Sequence, residues 1–138
     1  MSSHIYYRAG YKYQLVEDYK HQLIADLVAR LTRTRFYSLT VGGLLTIKAG
    51  YAWDGPSGPT FDTPDFMRGS LVHDLLYQMM RLGQIDLFHR DYADELLGEI
   101  CKADGMPAFR ASYVVSAVKI FGADSAISSA IRPVLVAP

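Results

Sequence analysis

The sequence predicts an α+β fold, with antiparallel strands in its N-terminal third packed on a C-terminal bundle of three or four helices. Three observations predict it. Apolar and polar residues alternate in short runs up to about Gly50, the period of a half-buried strand. From Phe66 onward the apolar residues recur at the wider period of a helix, and a Gly/Pro/Asp-rich stretch at 51–65 divides the two regimes. A chain of 138 residues, 50% of them hydrophobic, has enough apolar mass for one domain with its own core. That single domain, 1–138, reads as a β-rich part at 1–50, a loop at 51–65 and a helical part at 66–138.

The strand-forming runs are YKYQLVEDY, HQLIADL, RFYSLTV and, after the turn-prone Gly42 and Gly43, GLLTIKAG, which predicts three or four antiparallel strands. HQLIADLVARL also reads as a short helix, because Leu23, Leu27 and Leu31 stand four apart. The loop YAWDGPSGPTFDTPD follows, with more proline and glycine than a helix or sheet interior tolerates. Three helices are then predicted, over about 64–82, 87–103 and 107–121. Pro107 suits a first helical turn and Gly122 a helix end. The tail, SAISSAIRPVLVAP, is read as a further short helix before an extended end.

Fourteen basic residues balance fourteen acidic ones, so no global field draws the chain to nucleic acid or anionic lipid, and no nucleic-acid partner is expected. Cys101 is the only cysteine, which excludes an intrachain disulfide framework and favours a reducing compartment. The polar, tyrosine-rich N-terminus lacks the apolar core of a signal peptide, and no run approaches the ~20 apolar residues of a membrane span. The protein is expected to be soluble as made.

Chemistry concentrates on the first two helices. In SLVHDLLYQMM, His73 and Tyr77 are four residues apart and share a face, while Asp74 lies one step round. On the second helix Asp94 falls at the edge of the buried face, in line with Leu87, Leu97 and Cys101, and a carboxylate there needs a partner. The short RLGQID connection makes the two helices antiparallel neighbours, so Asp94 is expected to reach His73. Such a pair fixes one imidazole tautomer and leaves the other nitrogen as a base. The bland alternative is a satisfied core histidine.

In the loop, Asp54 stands among glycines and carbonyls that suit a hard cation, with Asp74 as a further ligand; the alternative is an Asp-Gly turn without an ion. His73, Asp74, His89, Asp91 and Asp94 also form a loose set for zinc or manganese, against which His89 and Arg90 read as helix-opening residues that cap or face solvent. Cys101 reads as a buried helix residue, and Arg30, Arg33 and Arg35 as an exposed turn.

The stretches AGYAWDGPSGP, SLVHDLLYQ and HRDYADELLGEICKADGMPAFRASYVVSAVKIFG resemble the phage- and prophage-associated family called domain of unknown function 1353, over roughly Leu44 to Gly122. That resemblance places the family's recurrent polar residues on Asp54, Ser57, Pro59, His73, Asp74, Tyr77, Arg90 and Asp94. It implies a protein made in a bacterial host's cytoplasm and incorporated in a phage particle, with other virion proteins or a lipid or cell-envelope substrate as partners. His-Asp-x-x-Tyr followed by Ala-Asp is more distantly similar to phospholipase A₂. By that likeness His73 is the base that activates water, Asp74 a calcium ligand, Tyr77 a structural hydroxyl and Asp94 the residue that orients His73. The Tyr-x-Gly-x-Gly calcium loop of those lipases is not present.

Two function classes follow. One is a small metal-assisted hydrolase with a His-Asp site, and calcium is its expected cofactor. The other is a non-enzymatic tail or virion component whose polar cluster ties the loop to the helices. Substrate access to His73 separates them.

Overall fold

In a computed structural model, described here for residues 4–9, 13–55 and 63–122, seven short strands form two antiparallel sheets and three helices follow them. The strands are β1 (Tyr7–Arg8), β2 (Tyr13–Leu15), β3 (Tyr19–Gln22), β4 (Thr32–Arg33), β5 (Tyr37–Leu39), β6 (Leu44–Ile47) and β7 (Ala52–Trp53). The helices are α1 (Pro64–Arg81), α2 (Arg90–Ala103) and α3 (Ala108–Phe121). The fold is α+β, as expected. The predicted tail helix lies outside the described residues.

Seven strands replace the three or four expected because the alternating runs are cut by corners. YKYQLVEDY bends at Val16–Asp18, so Leu15 belongs to the sheet ordered β1-β2-β7 while Tyr19 begins the sheet ordered β3-β6-β5-β4. The Asp18 carboxylate accepts the Ala49 N–H at 2.8 Å and holds that corner to the chain leaving β6. HQLIADLVARL is neither a full strand nor a helix. It leaves the ladder after Gln22 and turns at Asp26, whose φ of 67° lies in the left-handed region that an aspartate tolerates. Leu23 and Leu27 are buried in that turn and Leu31 is exposed, so their spacing of four serves no helix face. The loop predicted at 51–65 begins as strand instead, because Ala52 and Trp53 pair with Gln14 and Tyr13.

α1 is the central element. Pro64 opens it, where a missing N–H is harmless, and most of its residues are buried on all sides. The sheets supply polar tips to it as well as apolar faces. Trp53 Nε1 donates to Ser70 Oγ at 3.0 Å, Tyr51 Oη to Gln78 at 2.7 Å, and Tyr37 Oη to Gln84, just past the helix end, at 2.6 Å. Arg68 reaches Tyr19 Oη at 2.8 Å with one nitrogen and grips the Asp104 carboxylate with two others, joining β3, α1 and the end of α2. These contacts give the aromatic residues of the sheets a single seating on the helix.

On its other side α1 packs against α2 at Gly69. A Cβ there would stand 2.9 Å from Cys101 Sγ and 3.0 Å from Leu97 Cδ1, so only glycine lets the two helices approach this closely. Gly69→Ala is therefore expected to destabilise the protein by about 1 kcal/mol net, as overpacking of about 1–3 kcal/mol exceeds the ~1 kcal/mol gained in helix propensity. Urea unfolding checks this; a stabilised variant would contradict the close approach. No helix among the described residues is long and apolar enough to cross a membrane.

Candidate functional site

α1 and α2 run antiparallel through the connection 82–89, in which Asp86 caps a short 3₁₀ turn, Leu87–His89, by accepting the Phe88 N–H at 2.7 Å. With Gly69 setting their separation, the helices bring the two predicted partners together. His73 Nε2 and Asp94 Oδ1 are 2.7 Å apart, and Tyr77 Oη donates to the same oxygen at 2.6 Å. The rings of His73 and Tyr77 lie against each other with centroids 4.2 Å apart. Asp94 is completely buried, His73 7% exposed and Tyr77 3% exposed.

The second carboxylate oxygen of Asp94 faces Arg90 Nε at 3.8 Å, and neither of these buried atoms has a hydrogen-bond partner. Arg90 opens α2 as expected, but its side chain, 28% exposed, turns Nε inward where the expectation was that it caps or faces solvent. Its Nη2 donates at 2.5 Å to the Lys119 carbonyl in the last turn of α3, where a cation meets the negative end of the helix. The charge of Arg90 offsets that of Asp94 inside the domain.

On the outer side, His73 Nδ1 lies 3.9 Å from Asp74 Oδ1, too far for a hydrogen bond, and the Asp74 side chain is 30% exposed. Asp54 is exposed just beyond β7, and its charge raises the proton affinity of Asp74, whose carboxylate accepts the Gly55 N–H. His73, Asp74, Tyr77, Arg90 and Asp94 therefore form one connected cluster, with Asp54 at its margin. Ser57 and Pro59 lie outside the described residues. Among those residues no three His, Cys, Asp or Glu side chains are arranged to hold a metal, so the loose set with His89 and Asp91 does not assemble; His89 packs on the Phe88 ring instead.

Sequence reasoning missed the capping of α3 by Arg90 and the Arg68–Asp104 grip. Both link residues far apart in the chain, and no local pattern announces either. Tyr51, also missed, is buried between Gln78 and the charge of Asp74.

Burial alone would lower the proton affinity of His73, but the carboxylates of Asp74 and Asp94 outweigh it and hold the imidazole above its ordinary range. Burial raises Asp74, and burial together with Asp94 raises the Tyr77 phenol. The folded state thus holds the His73 proton more tightly than the unfolded chain. Its contribution to stability is complete below the ordinary value of 6.5 and is lost as pH rises through the folded-state value. Asp74, raised from 3.8, acts in the same sense, losing stability as pH rises through its own folded-state value. His21 acts oppositely: burial and then Arg68 lower it, so its contribution is present above 6.5 and lost as pH falls through its folded-state value. The melting temperature is expected to fall as pH is raised above 6.5, and His73→Gln to remove that fall while leaving the loss on the acid side. Thermal melts across about pH 5 to 9 check this, and an unaltered alkaline limb in the variant would contradict the assignment.

No family model, no curated protein and no solved structure matches the chain.

Proposed function

We propose that the chain is a small phage-associated hydrolase in which His73 is the general base, Asp94 its orienting carboxylate, and an ester or amide of lipid or cell wall the substrate class. The observation that carries this reading is the two-sidedness of His73. Nε2 is held by a fully buried carboxylate, while Nδ1 lies on the side of Asp74, whose side chain is 30% exposed. The resemblance in His-Asp-x-x-Tyr and Ala-Asp supports the same reading.

In this mechanism Nδ1 of His73 takes a proton from water as the oxygen attacks the substrate carbonyl, and the proton then passes to the leaving group. Asp94 stabilises the imidazolium that forms in between. Tyr77 and Arg90 hold Asp94 in place, Tyr77 through its hydrogen bond and Arg90 through its charge. Calcium, if bound, would be held by Asp54 and Asp74 and would polarise the carbonyl. The described residues supply no third carboxylate to such a site.

The test is turnover by the purified chain on a panel of phospholipids and peptidoglycan fragments, with and without chelator, beside Asp94→Asn. Turnover lost in that variant supports the reading, and chelator sensitivity tests the cation. The near-complete burial of His73, Tyr77 and Asp94 favours a second reading, a structural network in a virion component. No turnover across the panel, with the protein recovered in assembled particles, decides for it.

A further inference from the structure

α3 is apolar on faces that point in opposite directions. Ala111 and Val114 are buried toward the other helices, while Phe109, Tyr113 and Ile120 stand on the reverse face at 81%, 53% and 69% exposure. With Ser112 and Ser116 between them, they form a single stripe, since spacings of three and four stack on a helix. The two cations of the helix are turned away from it: Arg110 pairs with Asp65 at 3.7 Å and Lys119 with Glu95 at 2.6 Å. The stripe itself therefore carries no charge, and the Lys119–Glu95 pair lies along its α2 edge.

We propose that this face of α3 is covered by the same face of a second copy, the two helices running antiparallel about a twofold axis. The stripe is self-complementary under that operation. An axis passing between Val114 and Val115 sets Phe109 against Ile120 of the other copy and Tyr113 against Ser116. Ser112 and Ser116 also border a groove of about 300 Å³ between α2 and α3, beside Gly98, whose lining by Glu95, Glu99, Lys102 and Lys119 offers polar partners to the hydroxyl of the incoming tyrosine. Covering the three large side chains and their small neighbours on both copies removes roughly 1,000 Å² from water, the lower bound for a specific interface. This proposal is independent of the hydrolase reading.

Sedimentation equilibrium on the full chain, from about 5 to about 500 µM, is expected to show a monomer–dimer equilibrium in the micromolar range. Phe109→Glu, at an exposed position, is expected to raise the dissociation constant at least tenfold, because it puts a charge in place of a large aromatic anchor against Ile120, with the melting temperature of the dilute protein unchanged. The antiparallel register is tested separately. A mixture of Phe109→Cys and Ile120→Cys chains should cross-link between positions 109 and 120 under mild oxidation, whereas Phe109→Cys alone should not. Cys101 does not compete, because it is completely buried and burial pushes its thiol up to about 12.

A wild type that is monomeric throughout overturns the proposal. So does a dimer that Phe109→Glu leaves intact, or cross-linking between two 109 positions. Dimerisation that begins only when residues 123–138 are removed would overturn it too, by assigning the stripe to the chain's own tail.

Discussion

His73→Ala is expected to lower the stability of the folded chain by about 3 to 5 kcal/mol, among the largest losses any single substitution here would produce. The reason is what remains behind. Asp94 is completely buried and would keep only the Tyr77 hydrogen bond at 2.6 Å, with Arg90 Nε still 3.8 Å from its other oxygen. A carboxylate so placed loses a hydrogen-bonded partner while staying buried, and that weakens folding. For a domain of this size the loss corresponds to a fall of roughly 10 °C or more in melting temperature. Tyr77→Phe removes one donor to the same oxygen and leaves His73 in place, so its effect is smaller, about 1 to 3 kcal/mol. Thermal and urea unfolding of the two variants give the order. A melt that His73→Ala leaves unchanged would mean the pair is worth nothing to the fold.

His73→Gln is expected to reduce turnover of a responsive ester about a hundredfold to ten-thousandfold while keeping the fold, if the hydrolase reading holds. Glutamine retains a donor for Asp94 at a similar reach, so Asp94 is not left orphaned. It has no basic nitrogen, so the proton of the attacking water has nowhere to go. The loss should fall on kcat rather than on KM, since His73 acts on the water in the transition state and does not anchor substrate. Circular dichroism and melting of the same preparation separate loss of chemistry from loss of structure. Activity that survives this substitution would remove His73 from the mechanism.

The helices were legible in the sequence to within a residue except at the start of α2, where a 3₁₀ turn at Leu87–His89 precedes the helix, and the strands were not. The helices carry local signals that the strands lack: apolar residues recurring at helical spacing, Pro107 at the start of α3 and Gly122 at its end. The strands are two to four residues long, too short for alternation to mark their bounds. Whether Leu15 and Tyr19 share a sheet depends on a corner held by Asp18 and Ala49, residues 31 apart in the chain. The candidate site was legible in the same uneven way. His73 and Tyr77 share a face by helical geometry alone, and a short connection sufficed to predict that Asp94 would face them. Arg90 opens α2 and joins the cluster, as its helix-start position and the resemblance each implied; its bond to the Lys119 carbonyl was not legible, because that carbonyl belongs to a helix whose placement nothing near Arg90 encodes.

By itself, then, the sequence determined what local physics governs: the α+β class, most helix ends, and the residues that share each helix face, because backbone periodicity and apolar burial act over a few neighbours. The tertiary structure alone decided how two sheets divide seven strands, how closely α2 approaches α1 at Gly69, and that one oxygen of Asp94 serves His73 and Tyr77 while the other faces a cation anchored on α3. Those outcomes depend on contacts between residues distant in the chain. Their distances are set by the packing of the whole core, which no short window of sequence contains.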